Sequence, residues 1–178
     1  VYAGSLVNPA LLDYKKRGCA VYDSARMTLE EVIAVMAPAA RAGQTVVRLH
    51  TGDPCVYGAH REQMDALDRL GLDYEVCPGV SSFCGAAAAL RAEYTLPNVS
   101  QTVILTRMEG RTPVPESERI EALAAHGATM VVFLSAGQLE KLSQRLLAGG
   151  YAPDTPAAIV YKATWPDERI VHTTVAGL

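Results

Sequence analysis

The sequence is short of the features that mark most chemistries. Its 178 residues contain no apolar run near the roughly 18–20 residues needed to cross a bilayer. No charged leader precedes the apolar segment at Val1, so neither a membrane span nor a secretory signal is expected. Cys19, Cys55, Cys77 and Cys84 form no Cys-x-x-Cys pair. That scatter favours reduced thiols in a cytoplasmic protein over a disulfide or zinc framework. Basic excess is absent as well: the net charge is −3 and the pI about 5.8, so no nucleic-acid partner is expected. There is no Gly-x-Gly-x-x-Gly fingerprint and no P-loop, hence no sign of a dinucleotide or ATP site. A Gly-x-Ser-x-Gly elbow is missing too. The four histidines are dispersed, and His60 and Glu62 lack a zinc spacing, so no metal is expected.

What is there is strand and helix in alternation. Val1 to Ala3 reads as the end of an apolar strand. Asn8-Pro9 then supplies an N-cap and a first helical residue. Thr28 and Glu31 form a capping box ahead of the stripe Leu29, Val32, Ile33 and Met36, with Pro38 expected to kink or end that helix. Thr45 to His50 reads as a β-branched strand and Tyr74 to Cys77 as another, with a helix through Met64, Leu67 and Leu70 between them. A small-residue helix starts near Ser81. After a break at Tyr94 to Ser100 the pattern restarts, with strands over 102–105, 130–134, 157–161 and 170–174, and helices over 117–126 and from Leu139 to Leu146. This order predicts parallel βαβ units in an α/β fold of two consecutive domains, 1–96 and 101–178.

Two segments could carry chemistry. Thr51-Gly52-Asp53-Pro54 follows a strand end, where open α/β sheets bind ligands. Gly52 would allow a close approach, and Asp53 could accept from a hydroxyl or amine. Pro78-Gly79-Val80-Ser81-Ser82 opens a helix with amides and hydroxyls facing outward. On local grounds alone, the first is more often a plain turn and the second more often a plain N-cap. Cys55 reads as an incidental small residue.

Several segments together resemble the tetrapyrrole methylase family, in the family's order and over nearly the whole chain. They are VYAGSLVN, DSARMTLEE, VVRLHTGDPCVYGAHREQMDAL, YEVCPGVSSF, LPNVSQTVILTRMEGRTPVPE, AAHGATMVVFLS and VYKATWPDERIVHTTV. SQTVILTRMEGRTPVPE in particular resembles the branch that methylates precorrin-4 or cobalt-precorrin-4 at carbon 11 in cobalamin biosynthesis. The resemblance implies two α/β domains with S-adenosyl-L-methionine folded into the cleft between them and S-adenosyl-L-homocysteine as product. It implies cofactor contacts at Thr51, Gly52, Asp53 and Val56, at Ser81 and Ser82, and at Leu134 and Ala163; without it, Leu134 would be a core strand residue. A carboxylate-rich tetrapyrrole substrate makes Arg107, Arg111 and Arg61 candidate substrate contacts. No catalytic base is identified, and a homodimer is expected. The family's Gly-Pro-Gly-Asp-Pro loop and its last strands are not found, so the chain is expected to be a fragment of a longer protein. Uroporphyrinogen methyltransferases of the family carry Asp where this chain has Ala3 and Lys near Ser24, which points away from them. Open alternatives are a same-fold methyltransferase with another substrate and a non-catalytic domain that binds the cofactor.

Overall fold

The computed structural model describes residues 1–110 and 112–178. The chain forms two compact units, Val1–Ser82 and Phe83–Leu178. The break read at Tyr94 to Ser100 lies inside the second.

In the N-terminal unit, α1 (Leu29–Arg41) packs on α2 (Arg61–Arg69). The capping box at its start is formed: the Glu31 amide donates to Thr28 Oγ1 at 3.2 Å and the Thr28 amide to Glu31 Oε2 at 2.8 Å. Val32, Met36 and Ala37 are buried along one face. Pro38 does not end the helix, which runs on to Arg41, because it falls in the last turn and removes a single donor there. The segment at Asn8 winds as a 3-10 helix, Pro9–Tyr14, with the Asn8 side chain accepting from the Ala10 amide at 3.1 Å.

The strands read in this unit are extended chain with isolated parallel bridges instead of ladders. Tyr2 bridges Asp23 on one side and Leu49 on the other. Its neighbours add bonds from the Ala3 amide to the Leu49 carbonyl (3.0 Å) and from the Leu49 amide to the Val1 carbonyl (2.9 Å). Tyr74 to Cys77 joins no ladder, and Tyr74 and Val76 stay 40% and 42% exposed. A β-branched segment becomes a ladder only where a neighbour presents matching amides and carbonyls in register.

The C-terminal unit is more regular. It contains α3 from Phe83 onward (the helix is Ser82–Leu90), β1 (Val103–Arg107), α4 (Ile120–Ala124), β2 (Thr129–Phe133), α5 (Leu139–Ala148), β3 (Pro156–Tyr161) and β4 (Arg169–Thr174). β1 and β2 pair in parallel from Val103↔Thr129 to Arg107↔Phe133, with α4 in the crossover as expected of a βαβ unit. β3 and β4 form an antiparallel pair from Pro156↔Thr174 to Tyr161↔Arg169. The core is Met108, Ile120, Ala124, Leu142, Leu146 and Val175, with Met130, Val132 and Tyr151 against it. α3 belongs with these elements. Its Phe83 ring lies 6.0 Å from Tyr94 and 6.5 Å from Phe133, and the Phe83 carbonyl accepts from the Tyr94 hydroxyl at 2.6 Å.

Among the described residues no helix is long and apolar enough to cross a membrane, and no group of three acidic, histidine or cysteine side chains could hold a metal. The four cysteines are free and exposed.

Candidate cofactor-binding loops

In the N-terminal unit the two suspected segments meet. The Asp53 carboxylate joins them: Oδ1 accepts from the Cys55 amide at 2.8 Å and Oδ2 from the Gly79 amide at 2.9 Å. These two backbone donors hold the Asp53 carboxyl below its ordinary range, Gly79 first and Cys55 second. Asp53 is thus a brace between the loops, with both oxygens engaged by the protein itself. The approach is so close that a Cβ on Gly79 would overlap the Gly52 carbonyl oxygen. Gly52 itself has φ +59°, and a Cβ there would stand 3.4 Å from the Ser81 Cα and the Ser82 amide nitrogen. Thr51, Gly52 and Ser82 are exposed, Val56 is half-buried and Ser81 is buried. Val80, between the braced Gly79 and Ser81, is 76% exposed. An apolar side chain facing solvent on a tightly braced turn is what a ligand-binding turn presents.

Behind the first loop lies a polar network that the sequence did not signal. Arg48 Nε donates to Gln63 Oε1 at 3.0 Å, and Gln63 Nε2 to the Ala59 carbonyl at 3.1 Å. His50 and His60, ten residues apart, stack edge to face with centroids 6.1 Å apart. Burial, then the Arg48 guanidinium, then His60 push the His50 imidazole down to about 4, so it is neutral near pH 7.

In the C-terminal unit, Leu134 and Ala163 sit on two separate bends. Leu134 is not the core strand residue that periodicity suggests. It lies one position beyond β2, with φ +56° and 70% of its surface exposed. A leucine held in the left-handed region is uncommon, and such backbone clusters at functional sites. Ala163 is flanked by two more left-handed residues, Lys162 (φ +51°) and Thr164 (φ +73°). That turn is pinned by the Thr164 amide on Glu168 Oε2 (2.6 Å) and by Lys162 on Asp167 (2.7 Å). Ala163 faces α3, where a Cβ on Gly85 would come 3.5 Å from its own.

The arginines are differently employed. Arg107 donates from Nη1 to the carbonyls of Met108 (3.2 Å) and Thr112 (3.1 Å) and from Nη2 to that of Pro113 (3.1 Å), tying down the loop after β1. Arg61 is 76% exposed and pairs with Asp65 one turn on, at 2.7 Å. Arg111 lies outside the described residues. Two further charges in the C-terminal unit escaped the sequence reading. Glu109 pairs with Arg145 and with Lys141 (3.1 Å), and Arg145 also reaches Glu121 at 3.4 Å. Arg145 first, with Lys141 further down among the causes, holds the Glu109 carboxyl down to about 2. Glu109 and Arg145 border a cavity of about 410 Å³ lined also by Gly110, Pro113, Val114 and Arg119. Only a long-range pairing of i and i+36 identifies Glu109 with Arg145, and no local spacing announces it.

Two glycine turns braced by one carboxylate in the N-terminal unit, and exposed left-handed bends in the C-terminal unit, are each features of small-molecule binding sites. The chain belongs to the tetrapyrrole (corrin/porphyrin) methylases, whose family model matches residues 1–178. Over its whole length it is 54% identical to the cobalt-precorrin-4 C(11)-methyltransferase of Methanocaldococcus jannaschii and 52% identical to that of Priestia megaterium, spanning 69% of each. It is 45% identical to the precorrin-4 C(11)-methyltransferase of Mycobacterium tuberculosis, spanning 71% of it. The crystal structure of a cobalamin biosynthetic enzyme, cobalt precorrin-4 methyltransferase, superposes with a TM-score of 0.94 at 51% identity, covering 98% of this chain and 73% of that one. The uroporphyrin-III C-methyl transferase of Thermus thermophilus, complexed with S-adenosylhomocysteine, superposes with a TM-score of 0.78 at 27% identity, covering 98% and 75%. The fold expectation of a tetrapyrrole methylase is borne out.

Proposed function

We propose that this chain forms the body of an S-adenosylmethionine-dependent C-methyltransferase that methylates precorrin-4 or its cobalt complex at carbon 11, a step of cobalamin biosynthesis. The observation that carries the reading is identity of 54%, over the whole of this chain and 69% of the relative, to a cobalt-precorrin-4 C(11)-methyltransferase, together with the Asp53-braced loop pair. Identity is higher to the two relatives named for the cobalt substrate (54% and 52%) than to those named for precorrin-4 (42–45%), so the cobalt complex is the first substrate to assay.

The residues fit the cofactor. Gly52 and Gly79 let the two turns close on one another, Ser82 offers an exposed hydroxyl at the start of α3, Val80 is an exposed apolar surface beside it, and in the C-terminal unit Leu134 is another. When bound, S-adenosylmethionine supplies a methyl group on a sulfonium leaving centre. The chain's share is then alignment and exclusion of water, where orientation alone can contribute up to roughly 7–11 kcal/mol. In this reading Thr51, Gly52, Asp53 and Val56 form the first cofactor loop and Ser81 and Ser82 the second, with Asp53 acting by holding the two together. Leu134 and Ala163 offer the contacts from the C-terminal unit. Arg107 orders the loop carrying Glu109 and Gly110 and keeps two N–H donors for a substrate carboxylate. A homodimer in the cytoplasm belongs to the same proposal.

Calorimetric titration with S-adenosylhomocysteine, beside an Asp53→Ala variant, tests it. Saturable binding by the wild type and weaker binding by the variant are expected. A variant that binds as tightly as wild type would show that the braced loops are not the site.

A further inference from the structure

We propose that Ser135 is a positioning residue: its hydroxyl locks the strand ends on either side of Leu134 and so holds that leucine in its left-handed bend, side chain outward. The proposal rests on the reading above that Leu134 is a cofactor contact.

Ser135 is 3% exposed and its Oγ makes two hydrogen bonds of opposite sense. It donates to the Phe133 carbonyl, the last residue of β2, at 2.7 Å, and accepts from the Met108 amide, the first residue past β1, at 3.2 Å. One hydroxyl therefore ties the carboxyl ends of two parallel strands, the end at which open α/β sheets place their ligands. The next bond fixes the far side, since the Ser135 carbonyl accepts from the Gln138 amide at 2.9 Å, just ahead of α5. Leu134 is thus caught between two anchored neighbours.

That anchoring explains an otherwise unfavourable state. Left to itself, a leucine at φ +56° relaxes toward the extended region, which would prolong β2 and carry its side chain to a sheet face. A side chain that both donates and accepts is required at 135. Alanine there leaves the amide of Met108, a residue 4% exposed, without its acceptor, and frees the bend. Strain held by a buried clamp, with an exposed apolar side chain at the apex, is the signature of a contact shaped before its ligand arrives.

A double-mutant cycle read by S-adenosylhomocysteine affinity tests the clamp, with thermal melting measured on each protein. Leu134→Ala is expected to weaken binding about tenfold, the equivalent of most of one buried leucine side chain. Ser135→Ala is expected to match it, and adding Ser135→Ala to Leu134→Ala to change little more. Leu134→Gly, which relieves the bend, is expected to melt higher than wild type while binding the ligand more weakly. A merely structural serine would lower the melting temperature without lowering affinity, and its effect would be the same in the wild-type and Leu134→Ala backgrounds. Wild-type affinity in Ser135→Ala, or two effects that multiply independently, overturns the clamp alone. Should Ser135→Ala fail to fold, Ser135→Cys, of similar size but only a weak donor and acceptor, decides: wild-type affinity there overturns the proposal. If the wild-type protein itself ignores the ligand, the underlying cofactor reading falls, and the clamp with it.

Discussion

In the N-terminal unit a carboxylate holds the candidate loops in place; in the C-terminal unit a hydroxyl and a two-stranded ladder do. Asp53 reaches across 26 residues to the Gly79 amide and fastens two stretches of irregular chain. Ser135 reaches across 27 to the Met108 amide and fastens the ends of β1 and β2. The first unit has little ladder to lean on, so its geometry depends on close backbone contact and on one ionised side chain. The second has a buried cluster around Ile120 and Leu146 beneath its loops. Disturbance at the brace should therefore reach the cofactor directly in the N-terminal unit. In the C-terminal unit it should reach stability first and the cofactor only through Leu134 or Ala163.

Two glycines sharpen that contrast most strongly. A Cβ on Gly79 overlaps the Gly52 carbonyl oxygen, and one on Gly149 overlaps the Ala124 side chain and stands 2.7 Å from the Glu121 carbonyl oxygen. Overpacking of this kind costs about 1–3 kcal/mol or more. Gly79→Ala is expected to abolish S-adenosylhomocysteine binding in a calorimetric titration. Gly149→Ala is expected to lower the melting temperature with affinity retained. Equal loss of affinity in both would break the comparison.

Next in size is Asp53→Ala, which frees both loops. Misplacing a reacting group by about 1 Å can cost 10²-fold, and a fall in kcat/KM of up to about that size is expected with little change in melting temperature. Glu109→Gln should do the reverse, destabilising by about 1–3 kcal/mol through the loss of charge-assisted bonds to Arg145 and Lys141. Chemical denaturation with cofactor affinity measured in parallel checks the pair.

The smallest effect is a difference in acid sensitivity. The folded His50 imidazole, pushed from 6.5 to about 4 mainly by burial, resists a proton that the unfolded chain accepts. Stability of the N-terminal unit therefore falls as pH drops from about 6.5 to about 4. Glu109, lowered from 4.5 to about 2 chiefly by Arg145, gives stabilisation that is complete above about 4.5 and lost as pH falls toward 2. Amide hydrogen exchange resolved by peptide should show the N-terminal unit loosening at the higher pH. Loosening of both units in one window would contradict the assignment.

Much of this was legible from sequence, and the reasons differ by residue. The Thr28–Glu31 capping box is local, four residues long, and formed as read. β1 and β2 were visible because their β-branched runs are paired in a ladder, and both loops were visible because Gly-Asp-Pro and Pro-Gly are turn chemistry. The role of Asp53 was not: spacing shows an acceptor, while its partner Gly79 is 26 residues away. Leu134 reads as strand because periodicity carries no information about φ. The Tyr74 to Cys77 segment has strand composition without a ladder partner, and composition cannot report a partner. Arg107 read as a ligand-binding arginine, and nothing local reveals that its own loop carbonyls also take three of its donors.

The central claim is methyl transfer to a corrin precursor. Incubating the protein with S-adenosylmethionine carrying a labelled methyl group, and with cobalt-precorrin-4 or precorrin-4, tests it most directly. The account predicts one labelled methyl group at carbon 11 and one S-adenosylhomocysteine released per product. A protein that binds S-adenosylhomocysteine tightly and yet transfers nothing to either tetrapyrrole would contradict it.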